Sequence, residues 1–459
     1  MHIETDPTAC FAEPNEAAIP VHPVAKGGLD KVEGLQAADL AWAQANGFTG
    51  KSGETCIVPD AGGGISAVLV GTGKDDTPVP PAFRIAGLGR KLPTGTYALP
   101  DDLPQAALAF AMGGYEFTRY RKGASAAPRL AVSEDDATRR RVEGVYLARD
   151  LINTPANDMG PDALEAAFRK LAEVHGADVT VIMGEALLEQ NFPMVHAVGR
   201  ASAQAPRVLD LTWGKAEDPP VTLVGKGVTF DTGGLNIKPG SSMALMKKDM
   251  GGSANVMGLA HMVMDAKLPV RLRLIVGAVE NAISGNAFRP GDVLQTRKGI
   301  TVEIGNTDAE GRLVLGDCLT LADEDEPNLL IDMATLTGAA RVALGPDLPP
   351  FYTHDDGFAA ELERKSAACF DPVWRMPLWQ PDRSMLSSNV ADVNHISSGG
   401  FAGSITAALF LEKFVKKAAT WAHFDIFGWV PSDKPWARKG GEAQAIRALM
   451  DVLEVRYAR

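Results

Sequence analysis

After about residue 140 the chain alternates two patterns, short apolar runs closed by turn residues and longer stretches with apolar positions every third or fourth residue. The first pattern reads as buried strands and the second as helices laid on a sheet. Strands are expected at 179–183, 208–213, 221–224, 272–279, 329–333 and 422–427, and helices at 161–175, 253–266, 312–323, 359–369, 405–415 and 442–455. Near-continuous apolar strands alternating with helices predict a largely parallel sheet covered on both faces. Ahead of this region, 35–46 has helical spacing and Ala67-Val68-Leu69-Val70-Gly71 reads as a strand closed by glycine. The polar stretch 121–128 reads as a connection, and a helix over 134–151 follows, with Ser133 as its N-cap. The expected fold is α/β: a smaller N-terminal α/β domain, residues 1–130, then a larger α/β domain, residues 131–459, built on a central, mostly parallel sheet flanked by helices.

A length of 459 residues accommodates two cores, and 46% hydrophobic with 22% charged residues is ordinary for a globular protein. The net charge of -12 argues against a surface that tracks phosphates, and so against nucleic acid as a partner. Cys10, Cys56, Cys318 and Cys369 are scattered and form no C-x-x-C pair, which favours reduced thiols over a disulfide framework or structural zinc. The first residues carry no secretory signal pattern, and no apolar run reaches the length of a membrane span. A cytoplasmic location is expected.

Chemistry concentrates in Asn306-Thr307-Asp308-Ala309-Glu310-Gly311-Arg312, where two carboxylates two residues apart are followed by an arginine. Upstream, Lys226, Asp231, Lys238 and Asp249 fall just after strands or where strands give way to glycines, the edge at which α/β sheets place ligands. Four carboxylates brought together repel and desolvate one another unless cations neutralise them, and a pair of divalent ions does so. Such a pair can clamp a water and polarise a carbonyl. A lysine ligates only as the neutral amine, whereas a lysine kept cationic can stabilise an oxyanion. Arg312 supplies a planar fork suited to a carboxylate or a bicarbonate.

Taken singly, each acid is better read as a cap or turn residue, and Lys238 as a solvated loop lysine; the joint array needs more than capping. Gly225-Lys226-Gly227 and Gly71-Thr72-Gly73-Lys74 lack the spacing and the hydroxyl residue of a phosphate-binding loop. The eight histidines form no pair at ligand spacing on a helix.

The run from Gly225 to Gly252 and the segment Asn306 to Arg312 resemble the leucyl aminopeptidase family of dinuclear metallopeptidases (peptidase family M17), as do Asn153-Thr154-Pro155-Ala156-Asn157 and Ala334-Thr335-Leu336-Thr337-Gly338-Ala339. The resemblance implies a metal-dependent aminopeptidase with 131–459 as its catalytic domain, releasing N-terminal residues of Leu or Met type from peptides through water activated by two metals. It implies that Lys226, Asp231, Asp249 and Glu310 hold one ion and Asp231, Asp308 and Glu310 the other, with manganese or zinc as the metal. Lys238 would polarise the scissile carbonyl, Arg312 would anchor a bicarbonate, and Met246, Thr335 and Gly338 would line the pocket for the first side chain. A homohexamer is implied as well. The first 120 residues and the stretch from Trp429 to Glu442 depart from the family's pattern, and Lys248 stands where the family has a small residue. The rival readings are a non-catalytic scaffold or nucleic-acid-binding relative, and a dipeptidase of narrower range.

Overall fold

The computed structural model describes residues 6–14, 17–74, 76–121, 127–133 and 135–458. Packing divides the chain into two units. The smaller takes the N-terminal stretch as far as Tyr146 together with Val430–Gly440, and the larger takes Leu147–Trp429 and the chain from Gly441 onward. The connection expected at 121–128 falls largely outside the described residues. The following helix runs Asp136–Asn153, and its first turn is capped by Asp135, which accepts from the N–H groups of Ala137 (3.0 Å) and Thr138 (3.2 Å), rather than by Ser133.

The smaller unit contains β1 (Phe11–Ala12), β2 (Ile19–Ala25), β3 (Thr55–Pro59), β4 (Ile65–Gly73), β5 (Thr96–Ala98) and β6 (Arg129–Ala131) in one sheet of order β1-β6-β5-β2-β4-β3. Neighbours are parallel except for the β3–β4 pair. On β4, Val68 and Val70 join a cluster with Ile85, Tyr97 and Phe110, while Ala67 and Leu69 join another with Ala43 and Phe48. This alternation is that of a strand with both faces covered.

In the larger unit the strands continue as β7 (Asp178–Met183), β8 (Arg207–Trp213), β9 (Pro220–Asp231), β10 (Arg271–Asn281), β11 (Val293–Gln295), β12 (Thr301–Glu303), β13 (Leu329–Ala334), β14 (Pro350–Tyr352), β15 (Trp374–Arg375), β16 (Val393–Asn394) and β17 (Thr420–Asp425). Eight of them form a sheet of order β15-β14-β17-β13-β9-β10-β8-β7, and β11, β12 and β16 form a small separate one. The four central strands, β17, β13, β9 and β10, run parallel, with antiparallel pairings at β14–β17, β8–β10 and β7–β8. The sheet is therefore mixed with a parallel heart, the α/β architecture expected.

Strand β9 extends well past the expected 221–224 because Gly225 and Gly227 continue it instead of ending it. A Cβ on Gly225 would lie 2.6 Å from Ser253 Cα, so the missing side chain lets the helix Gly251–Asp265 settle against the strand. That helix is buried all round, as a helix enclosed by sheet and by the helix Ile446–Tyr457 must be. The four central strands end at Asp231, Asn281, Ala334 and Asp425, which puts all their carboxyl ends along one edge. Ligands bind at this edge in open α/β sheets.

Candidate active site

Lys226 emerges from within β9 and is almost fully buried. Its Nζ lies 2.7 Å from Asp249 Oδ2 and 3.0 Å from Glu310 Oε1, and it donates to the Thr335 carbonyl at 3.0 Å. Asp231 ends β9; its Oδ1 accepts from the Gly233 N–H and from Asn281 Nδ2, both at 2.8 Å, and its Oδ2 meets Lys238 Nζ at 2.8 Å. Lys238 also pairs with Asp308 Oδ1 at 2.6 Å, so it sits in the cluster and not in solvent. Asp249 Oδ1 accepts from the Thr335 hydroxyl at 2.9 Å.

Local rules place the two acidic segments. Asn306 caps the short helix that follows it, accepting from the Asp308 N–H at 2.9 Å, and this turn delivers Asp308 and Glu310 to the same face. Thr307 locks the loop to the segment after β9: its N–H donates to Asn236 Oδ1 (2.9 Å), its hydroxyl donates to the Gly233 carbonyl (2.6 Å), and Asn236 N–H donates to that hydroxyl (2.8 Å). Gly233 has φ +87°, and a Cβ there would lie 2.8 Å from Asp308 Oδ1. Glycine is required at that point on both counts.

The electrostatics follow from burial. Burial opposes the Lys226 ammonium, but Asp249, Glu310 and Asp231 outweigh it and hold its pKa above the ordinary lysine range. Burial, with Asp231 next, pushes Glu310 up to about 8; burial and the nearby Asp249 raise Asp231. Asp249 is held below the usual carboxylate range, because Lys226 and Lys248 overcome the burial that would raise it. Charges of the protein alone thus keep Lys226 cationic; a neutral, ligating amine would require cations to take over the carboxylates.

The donor set suits such cations. One oxygen from each of Asp231, Asp308 and Glu310 lies within 4.8 Å of the others. Asp249 Oδ2, Asp308 Oδ1 and Glu310 Oε1 are buried with no aligned hydrogen-bond donor among the described residues, their lysine contacts being ion pairs only. Buried carboxylates crowded together in this number are costly even beside two lysines, and hard cations satisfy them.

Arg312 is buried. Its Nη1 donates to the His395 carbonyl at 2.7 Å while its Nε has no partner among the described residues, and burial pulls its pKa down to about 10, so it stays cationic at neutral pH. Thr335 is buried, Met246 half-buried and Gly338 exposed. Lys248 is buried, 3.3 Å from Asp249 Oδ1, and burial lowers its pKa to about 8.

Sequence reasoning passed over several residues that shape the site. Asn281 ties Asp231 to the Thr307 carbonyl, donating to it at 3.0 Å. Asp425 fixes the loop after β13, its Oδ1 accepting from Leu336 N–H (3.1 Å) and Thr337 N–H (3.0 Å). Neither belongs to a local motif. The only available sign was a polar residue closing an apolar strand.

A buried cluster of carboxylates and lysines at the carboxyl ends of the parallel central strands lies where enzymes of the α/β class bind their ligands. Residues 146–450 match the catalytic domain of the cytosol aminopeptidase family, and residues 19–133 match the M17 aminopeptidase N-terminal domain, so the first 120 residues follow the family more closely than their sequence suggests. The chain belongs to the cytosol aminopeptidase family and is an aminopeptidase, a hydrolase of peptide bonds. It is 37% identical over 444 residues to a probable cytosol aminopeptidase of Roseiflexus castenholzii, covering 88% of this chain and 91% of that one. The crystal structure of cytosol aminopeptidase from Coxiella burnetii is similar with a TM-score of 0.92 at 45% identity, over 98% of this chain and 99% of that one. The bottromycin maturation enzyme BotP in complex with Mn gives a TM-score of 0.85 at 33% identity, over 96% and 99% of the two chains.

Proposed function

We propose that this aminopeptidase works with two divalent cations, and the observation that carries the reading is the gathering of Asp231, Asp308 and Glu310 oxygens within 4.8 Å of one another, with Asp249 buried beside them on Lys226. Lys226, Asp231, Asp249 and Glu310 would hold one ion and Asp231, Asp308 and Glu310 the other, leaving Asp231 and Glu310 as bridges. Manganese and zinc both suit a set of carboxylates with one amine, and the manganese complex of BotP supports the first. Bound cations would supply Lewis-acid activation of a water and of the scissile carbonyl.

The chain's own groups account for the rest. Lys238, held in the cluster by Asp231 and Asp308, would stabilise the oxyanion of a tetrahedral transition state. Arg312, fixed by the His395 carbonyl and with its Nε free of a partner among the described residues, would hold a bicarbonate, which would supply general acid–base chemistry there. Asp249 would meet the free α-amino group of the substrate, which restricts cleavage to the first residue. Half-buried Met246 would offer apolar surface to that residue's side chain, which suits Leu or Met, with Thr335 and exposed Gly338 completing the pocket. Exposed Trp374, Trp379 and Phe401 supply apolar surface for the homohexamer that the resemblance implies. Among the described residues no helix is long and apolar enough to cross a membrane, which fits action on peptides in the cytoplasm.

The test is hydrolysis of amino-acid amides and their N-acetylated counterparts by metal-stripped protein, with manganese or zinc added back. Activity should return with metal and vanish on acetylation, and Glu310→Ala should lose both activity and metal while its circular dichroism stays native. Full activity in Glu310→Ala would sink the assignment.

A further inference from the structure

Two more cations flank the cluster without a place in the reaction just described. Lys248 is 1% exposed, and its Nζ lies 5.6 Å from the centre of the Phe427 ring. The guanidinium carbon of Arg341 lies 4.9 Å from the centre of the same ring. Lys248 meets one carboxylate, that of Asp249 at 3.3 Å, which is already engaged by Lys226 and Thr335. Arg341 Nη1 is buried and has no hydrogen-bond partner among the described residues. An unpaired buried guanidinium donor is unfavourable, and a second cation at the same ring adds to the penalty. An anion delivered to the pair relieves both.

Gly338 shows where that anion can enter. It is exposed, and a Cβ built on it would have Arg341 Nη2, at 3.9 Å, as its one neighbour within 4 Å beyond the adjoining backbone. Three residues earlier on the same loop, Thr335 holds Asp249 through its hydroxyl. The exposed backbone at Gly338, three residues on from the threonine that holds Asp249, is therefore bordered by a half-buried guanidinium. We propose that this enzyme takes peptides whose N-terminal residue is aspartate or glutamate, with Arg341 receiving the side-chain carboxylate and Lys248 adding to the positive potential around it. The Met246 and Thr335 surface then packs against the stem of that side chain. The inference rests on the aminopeptidase reading above and replaces its apolar first residue with an acidic one. Leu or Met at this position would leave Arg341 Nη1 unpaired.

The experiment measures kcat/KM of the metal-loaded enzyme for the p-nitroanilides of Asp, Asn, Glu, Gln and Leu. Each acid and its amide have the same shape, so their ratio isolates the charge. Asp over Asn and Glu over Gln should each exceed about tenfold, the scale of one charge-assisted hydrogen bond. Arg341→Met should bring both ratios close to one, and Arg341→Lys should retain most of the preference. Hydrolysis of Leu-p-nitroanilide with ratios near one in the wild type would overturn the acidic preference while leaving the aminopeptidase reading standing. No hydrolysis of any of the five would overturn both. The wild-type ratios decide the matter even if a variant fails to fold.

Discussion

Gly311 opens the helix Gly311–Glu324 immediately after Glu310, and its backbone lies in a region that alanine can adopt. In Gly311→Ala the new Cβ would lie 2.5 Å from Lys226 Cε and 2.7 Å from both Cδ and Nζ. Favourable carbon–carbon contact begins at about 3.5 Å, so the lysine must withdraw by about 1 Å. It cannot do so without loss, because Asp249 Oδ2 at 2.7 Å, Glu310 Oε1 at 3.0 Å and the Thr335 carbonyl at 3.0 Å all hold it in place. Alanine gains about 1 kcal/mol in helix propensity over glycine. Overpacking costs about 1–3 kcal/mol, and weakening even one charged hydrogen bond costs about 1.5–3 kcal/mol. Steric strain therefore wins, and the two costs less the propensity gain leave a net loss of about 1.5–5 kcal/mol in stability. A group displaced by about 1 Å at a reacting centre costs about a hundredfold in rate, so kcat/KM should fall by that factor while the protein still folds. The assay pairs kcat/KM on an aminoacyl p-nitroanilide with metal content and a urea melt. Wild-type kcat/KM together with wild-type metal content would refute the claim that Lys226 is held rigidly at the site.

Two further outcomes test other parts of the structure. Asn281→Ala removes the donor that fixes Asp231 Oδ1 at 2.8 Å, and should weaken metal affinity by about tenfold to a hundredfold, the range for such supporting contacts; unchanged affinity in a metal titration would count against it. Asp317, buried and accepting from the N–H groups of Met194 (2.8 Å), Val195 (3.3 Å) and Arg297 (2.8 Å), has its pKa pushed by burial up to about 7. Because that value lies above the unfolded one of about 3.9, the folded state holds the proton more tightly, and the stability it contributes below about pH 4 is lost as pH rises through about 7. The melting temperature of the metal-loaded protein should fall from about pH 5 to about pH 8, and Asp317→Asn should flatten that slope; a wild-type profile that rises over this range contradicts the argument.

Much of the larger unit was legible because its elements obey local rules. The helix Pro161–His175 has the bounds its apolar spacing predicts, beginning at a proline and ending before Gly176 at φ +64°. The errors arise where distant partners override those rules. The last strand was expected to reach 427 but stops at Asp425, whose carboxylate binds the loop after β13. The last helix was expected from 442 but starts at Ile446. Glu442 is drawn instead into a buried pair with Arg149 at 3.0 Å, and Gln444 Oε1 accepts from the N–H groups of Phe427 and Gly428, both at 2.9 Å. The acidic loop could be read because its cap and its acids are neighbours in sequence. Asn281, Asp425 and Arg341 could not, since what they touch lies in other segments. Lys248 could be noticed as an unusual cation, yet nothing local fixed whether it would lie inside or outside.

The long sequence reach of the site bears on how the enzyme comes into being. Lys226 bonds to Thr335 across 109 residues, and Asp425 holds Leu336 across a further 89. Each carboxyl strand end is a corner of one frame, and the frame closes only when β17 slots in beside β13. Residues 226 and 335 must both leave the ribosome before the first of these contacts can form, and residue 425 must follow before the frame closes, so the site is completed late in synthesis.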